Sequence, residues 1–236
     1  MDVSVTNWTW GAHSLADIFG GTHDANRGCD DVDHASYLTD RDFDYVVMQQ
    51  GSTYDVAETI SSIDEIMAFF KAENPNVKFV YLCHSSTHLN QKTEMLKLLK
   101  TLEQKGIIVV DWGGLVSDLI TGDKVVENSA FLYNKNTFIV NQSSSDGYHP
   151  NMLTGYITAL MTFSAITGIS AQDQEYQFAY DTAVNSAFNA VTFKRKYYTY
   201  GNTTTYFNNV LSSEHDMRAI QQPIDTFLEN KEYQNY

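Results

Sequence analysis

Apolar residues recur along the first two-thirds of this chain in two alternating rhythms. Short, nearly continuous runs at residues 43–50, 77–83 and 107–111 carry β-branched and aromatic side chains, as strands covered on both faces do. Residues 3–10 have the same strand-type composition. Between the runs, apolar residues return every three or four positions. Residues 57–72 place Ile63, Ile66, Met67 and Phe70 on one helical face, and Asn74-Pro75 stops that helix. Residues 91–105 repeat the pattern through Met95, Leu98, Leu99 and Leu102, closed by Gly106. A short helix is expected over residues 113–120 and a long apolar one over 152–169.

Strands separated by helices predict an α/β domain with a parallel sheet covered on both faces. Ligands of such sheets sit beyond the carboxyl ends of the strands. Polar residues fall at those ends: Gly11 and His13, then Gln49, Gln50 and Ser52, then His84, Ser85, Ser86 and His88. Loops are polar in any protein, so this convergence counts only alongside further chemistry. The α/β domain is expected to span residues 1–170. Residues 171–236 read as a helical or mixed C-terminal extension, with helical segments at 172–193 and 213–228 and an irregular or hairpin segment at 197–209. The tyrosines of the extension are expected to pack on the main domain rather than stack on sugars.

Composition narrows the function. With 15 Lys and Arg against 29 Asp and Glu, the 236-residue chain carries a net charge of −14. Such a surface repels phosphate backbones, which argues against nucleic-acid partners. The one basic cluster, Lys194-Arg195-Lys196, reads as a solvated face. No run of about twenty apolar residues is available to span a membrane. Cys29 and Cys83 are too few for a disulfide scaffold and lack metal-ligand spacing. The first residues carry no signal-peptide pattern. A start at Met1 therefore implies the cytoplasm, whereas an upstream signal segment would imply secretion or the periplasm.

The candidate chemistry centres on Asp146-Gly147-Tyr148-His149-Pro150, directly before the long apolar helix. Pro150 suits a first helical turn, where its missing N–H costs nothing. An imidazole near that positive helix end is biased toward the neutral form a general base needs. Asp146 is close enough in sequence to orient the ring of His149 and to steady its imidazolium.

Asp-x-x-His before a last long helix resembles the final sequence block of the SGNH hydrolases, the GDSL-like esterase and lipase superfamily. Asp2-Val3-Ser4-Val5 leading to Gly11-Ala12-His13-Ser14-Leu15 resembles its second strand and glycine block. Asp44-Tyr45-Val46-Val47-Met48-Gln49-Gln50-Gly51-Ser52 resembles the third block of a bacterial branch that carries glutamines in place of Gly-x-Asn-Asp. The resemblance covers roughly residues 1–170 and implies a three-layer α/β/α, flavodoxin-like sheet. It also implies His149 as general base, Asp146 as its orienter and Gly11 as a backbone oxyanion donor. Gln49 or Gln50 would be the amide donor, with strand register deciding which. Ser52 lies beside them. No cofactor or metal enters this chemistry.

The departure from the family pattern is large. The family's nucleophilic serine sits in a first block, Gly-Asp-Ser or Gly-Asn-Ser, and neither tripeptide occurs in this chain. The sheet is thus expected to lack the usual first strand. Three accounts fit: a longer hydrolase whose first block lies upstream, a short version that binds without cleaving, or an internal serine that has taken over. Ser14 and Ser52 are the candidates for the third account, although Ser14 also suits a helix cap and Ser52 a loop hydroxyl. Cys83 and His84 are adjacent on a strand and point to opposite faces, so they make a poor nucleophile–base pair. His84 and His88 would need a helix to converge on a metal, and Ser85-Ser86-Thr87 reads as a loop.

The function this sequence points to is hydrolysis of acyl esters. Carbohydrate O-acetyl groups are the sub-class that family analogy suggests. The alternative is a non-catalytic ligand- or partner-binding protein that keeps the pocket.

Overall fold

The structure is a computed structural model that describes residues 4, 14–20, 42–50, 55–121, 152–174 and 214–236. It is a mixed α/β protein built on a parallel three-stranded sheet. The described residues fall into two compact units, one within 1–109 together with 233–236, the other within 110–232.

The first unit runs α1 (Leu15–Gly20), β1 (Tyr45–Gln49), α2 (Val56–Lys71), β2 (Lys78–Leu82), α3 (Ser85–Gln104) and β3 (Ile108–Val110), whose last residue opens the second unit. Strand order is β1-β2-β3, and β1 pairs with β2 in parallel from Tyr45↔Lys78 to Gln49↔Leu82. Parallel neighbours need a crossover, and α2 supplies it. Asp55 caps α2 by accepting the Glu58 N–H at 3.0 Å. The face expected from spacing is the buried one: Ile63, Ile66, Met67 and Phe70 join Met48, Phe79 and Tyr81 in one core cluster.

Asn74 does more than stop the helix. Its Oδ1 accepts the Asn76 N–H at 2.9 Å, which shapes the turn into β2, and its Nδ2 donates to the Phe43 carbonyl at 3.1 Å. One side chain thus ties the entrance of β2 to the approach of β1. Gly106, at φ +82°, ends α3 in the left-handed conformation that glycine takes without penalty. Ile107 N–H then closes back on the Leu102 carbonyl at 3.1 Å.

The start of α3 corrects the loop expected at Ser85-Ser86-Thr87. Residues 85–90 are helical, and the break comes at Gln91, with φ −145° and ψ 44°. A largely polar helical turn carries no apolar rhythm, so the periodicity registered only the later part of the helix, from Met95 onward. His84 precedes this helix. Near the C-terminus, Tyr233 is buried in the same core cluster and its hydroxyl donates to Glu103 Oε1 at 3.3 Å.

The second unit contains α4 (Trp112–Thr121), α5 (Met152–Thr167), a 3-10 turn (Ala171–Asp173) and α6 (Glu214–Asn230). Residues 112–119 of α4 are all buried, as a helix without an exposed polar face must be. Asp111 caps α4, its Oδ1 accepting the Gly114 N–H at 3.0 Å. α6 packs on α5 and on the 3-10 turn, burying Ile220, Gln221 and Ile224, and Pro223 is accommodated inside it. Among the described residues no helix is long and apolar enough to cross a membrane.

Candidate functional site

The carboxyl ends of β1 and β2 carry Gln49 and Gln50, and Cys83 and His84, among the predicted residues that the structure describes. Along β1, Tyr45, Val47 and Gln49 face one side of the sheet, and Val46 and Met48 face the other. Burial follows the alternation, with Met48 4% and Val47 50% exposed. Gln49 shares the open face and is exposed.

Gln50, one position past the strand, is 3% exposed. Its Oε1 accepts from the Thr59 hydroxyl on α2 at 3.2 Å. That hydroxyl also donates to the Asp55 carbonyl one turn back, at 2.7 Å. A threonine has a single hydroxyl proton, so the two acceptors share it in a three-centre bond of the kind frequent at helix ends. The two glutamines therefore differ in kind. Gln49 is a surface side chain, whereas Gln50 is buried and held by its amide oxygen.

Because Gln49 pairs with Leu82, the chain leaving β2 carries Cys83 at the level of Gln50 and His84 one position further on. Cys83 is fully buried and His84 is half-buried. The Cys83 Sγ meets the backbone carbonyl of His84 at 4.0 Å, a weak contact. Among the described residues no three His, Cys, Asp or Glu side chains gather in a metal-binding arrangement.

His149, Asp146, Gly11 and Ser52 lie outside the described residues. Ser14 is described, and its hydroxyl is committed to the helix. It donates to Asp17 Oδ2 at 2.8 Å and accepts the Asp17 N–H at 3.1 Å, a reciprocal cap on α1.

Thr59 escaped the sequence reading because a lone threonine on a helix carries no motif. Its only signal is its position on the first turn of the helix that follows the glutamines. Asp111 was read only as the last residue of a strand run. A carboxylate between an apolar strand and a helix beginning Trp112-Gly113-Gly114 fits an N-cap, and that signal was available.

Residues 22–197 match the family described as a domain of unknown function, DUF4886. The chain belongs to the DUF4886 family. No curated protein and no solved structure matches it. The DUF4886 match takes in β1 with Gln49 and Gln50, the elements through α5, and the Asp146 to His149 motif. Gly11 and α6 fall outside its bounds.

Proposed function

We propose that this DUF4886 protein is an SGNH-type hydrolase acting on acyl esters, with carbohydrate O-acetyl groups as the implied sub-class. In this reading His149 is the general base and Asp146 its orienter. Gly11 gives a backbone N–H to the oxyanion and Gln50 gives the side-chain amide. A serine hydroxyl attacks the ester carbonyl while His149 takes its proton. The ester C–O bond then breaks as His149 passes that proton to the departing alcohol, and the acyl-enzyme left behind is cleared by water activated by the same base, which frees the acid and restores the serine.

The observation that carries the reading is the placement of Gln50. It sits at the carboxyl end of a parallel strand, buried, with its amide held by Thr59. A preorganised amide donor is worth most where charge develops only in the transition state, on the order of 3 kcal/mol for one donor.

A second reading, binding without cleavage, is favoured by one fact: the 236 residues contain neither Gly-Asp-Ser nor Gly-Asn-Ser. Hydrolysis of p-nitrophenyl acetate separates the two. Turnover that disappears in His149→Ala supports the hydrolase. Ester binding without turnover, unchanged by His149→Ala, supports the binder.

A further inference from the structure

We propose that the outer face of α5 is where a second copy of this chain docks, forming a two-fold dimer in which α5 packs against α5. The inference stands apart from the acyl-ester reading and rests on the chemistry of one helix face.

α5 contains no charged residue, yet it is not buried all round. Gly155, Ala159, Phe163 and Thr167 recur every four positions and are exposed, Phe163 by 41%. Thr158, Thr162 and Ile166 lie half-buried beside them, so the two rows form one stripe along the helix. Just past the helix, Ile169 is 45% exposed. A helix face that meets water carries charge. The other long helices show it: α2 exposes Asp64, Glu65 and Lys71, α3 exposes Glu94 and Lys97, and α6 exposes Arg218 and Glu229.

The threonines do not make this face polar. Thr158 donates to the Thr154 carbonyl at 2.8 Å, Thr162 to the Thr158 carbonyl at 2.7 Å and Thr167 to the Phe163 carbonyl at 2.8 Å. Each hydroxyl proton is spent within the helix, so a dry partner leaves none of these donors unsatisfied. Gly155 adds room. A β-carbon there would meet no atom within 4 Å among the described residues, although glycine is disfavoured in a helix.

Charge selects the occupant. The chain has a net charge of −14, so two copies repel through their charged faces. A two-fold contact sets a patch against itself, and a charge near the axis meets its like. An uncharged face escapes this. A membrane surface is a poorer match, because helices that lie on lipid carry Lys or Arg beside their apolar face and α5 has none. A basic partner would be drawn to the acidic faces instead.

One pair of helices buries an area at the small end of specific interfaces, so the dimer is expected to be weak and half formed at about 100 μM. Sedimentation equilibrium of the full chain measures it. Ala159→Glu and Phe163→Glu replace exposed side chains, which spares the fold, and set carboxylate against carboxylate across the contact. Each should raise the dissociation constant by about tenfold or more. Ala68→Glu adds the same charge on the exposed face of α2 and should change it by less than about twofold. Added salt should strengthen the dimer, since it screens the overall repulsion and has no ion pair to weaken.

A wild type still monomeric at about 500 μM would overturn the inference, as would a dimer indifferent to both α5 variants. Equal weakening by Ala68→Glu would overturn it too, by assigning the effect to net charge. Two further outcomes give the face another occupant and so also overturn it. One is a monomer whose Tm falls in both α5 variants, which means that the chain's own residues cover α5. The other is a monomer that binds phosphatidylcholine vesicles until either variant is made.

Discussion

Asp111 accepts the backbone N–H of Gly114 at 3.0 Å, and its carboxylate leaves no room for a β-carbon at that glycine. A β-carbon at Gly114 would also stand 2.9 Å from Phe227 Cζ. The cap and the glycine are one device: a buried carboxylate closes onto the first turn of α4 only because residue 114 has no side chain.

Gly114→Ala tests this device, because two effects of opposite sign compete. Alanine in a helix is favoured over glycine by up to about 1 kcal/mol. Overpacking a buried site costs roughly 1–3 kcal/mol. One of the two clashing groups is a hydrogen-bonded carboxylate that cannot withdraw without losing its bond, so the clash should win. The urea midpoint is expected to fall. A raised midpoint would show that Asp111 and Phe227 move aside freely.

Asp225 on α6 grips the turn that follows α5. Its carboxylate accepts from the Ser170 hydroxyl, the Ala171 N–H at 2.7 Å and the Gln172 side chain at 3.1 Å. Partial burial pushes its pKa up, but the hydrogen bonds from Ser170, Ala171 and Gln172 outweigh it and hold the carboxyl below the ordinary 3.8. A depressed folded-state pKa means stabilisation that is fully present above the unfolded value and lost as pH falls through the folded one. Asp225→Ala should therefore lower Tm at neutral pH, and the gap to wild type should narrow in acid below 3.8. A gap independent of pH would assign the loss to packing instead.

Gln221 donates to Tyr156 Oη at 3.0 Å and to the Gln174 carbonyl at 3.2 Å, while its own Oε1 is buried without a partner among the described residues. Tyr156→Phe removes an acceptor and should cost about 1 kcal/mol. Removing both partners costs less than the sum, so Tyr156→Phe with Gln221→Leu should show a coupling on the order of 1 kcal/mol in a double-mutant cycle. Burial raises the Tyr156 pKa above 10.0, and the Gln221 hydrogen bond and the Arg218 charge only partly oppose it. Wild-type stability should thus decline as pH climbs from 10.0 through the raised folded value. Tyr156→Phe should lack that part of the decline.

Cys83 is fully buried. In a Cys29→Ser background its thiol should react with Ellman's reagent only on the timescale of unfolding, and at once in denaturant. Immediate labelling of the native protein would mean that the carboxyl end of β2 opens readily.

The core-facing sets Ile63, Ile66, Met67, Phe70 and Met95, Leu98, Leu99, Leu102 were legible in the sequence because helical periodicity is a local property of side-chain order. The strand runs, and with them an α/β fold with parallel strands, were legible for the same reason. The helical turn at residues 85–90 was not, because Ser85-Ser86-Thr87-His88-Leu89-Asn90 has a single apolar residue and so no apolar rhythm.

The sequence by itself determined which residue types stand at the end of β1: two adjacent glutamines, chemically identical. Only the tertiary structure decided between them, since burial and hydrogen bonding depend on which face a residue takes and what packs there. Met48's side of the sheet met α2 and its Thr59, which left Gln50 buried and held and Gln49 exposed. The same logic explains Asp111 and Gly114. A capping carboxylate can be read from local order, but the second obstacle to a β-carbon at Gly114, Phe227, lies more than a hundred residues away in the chain and is brought there only by the fold.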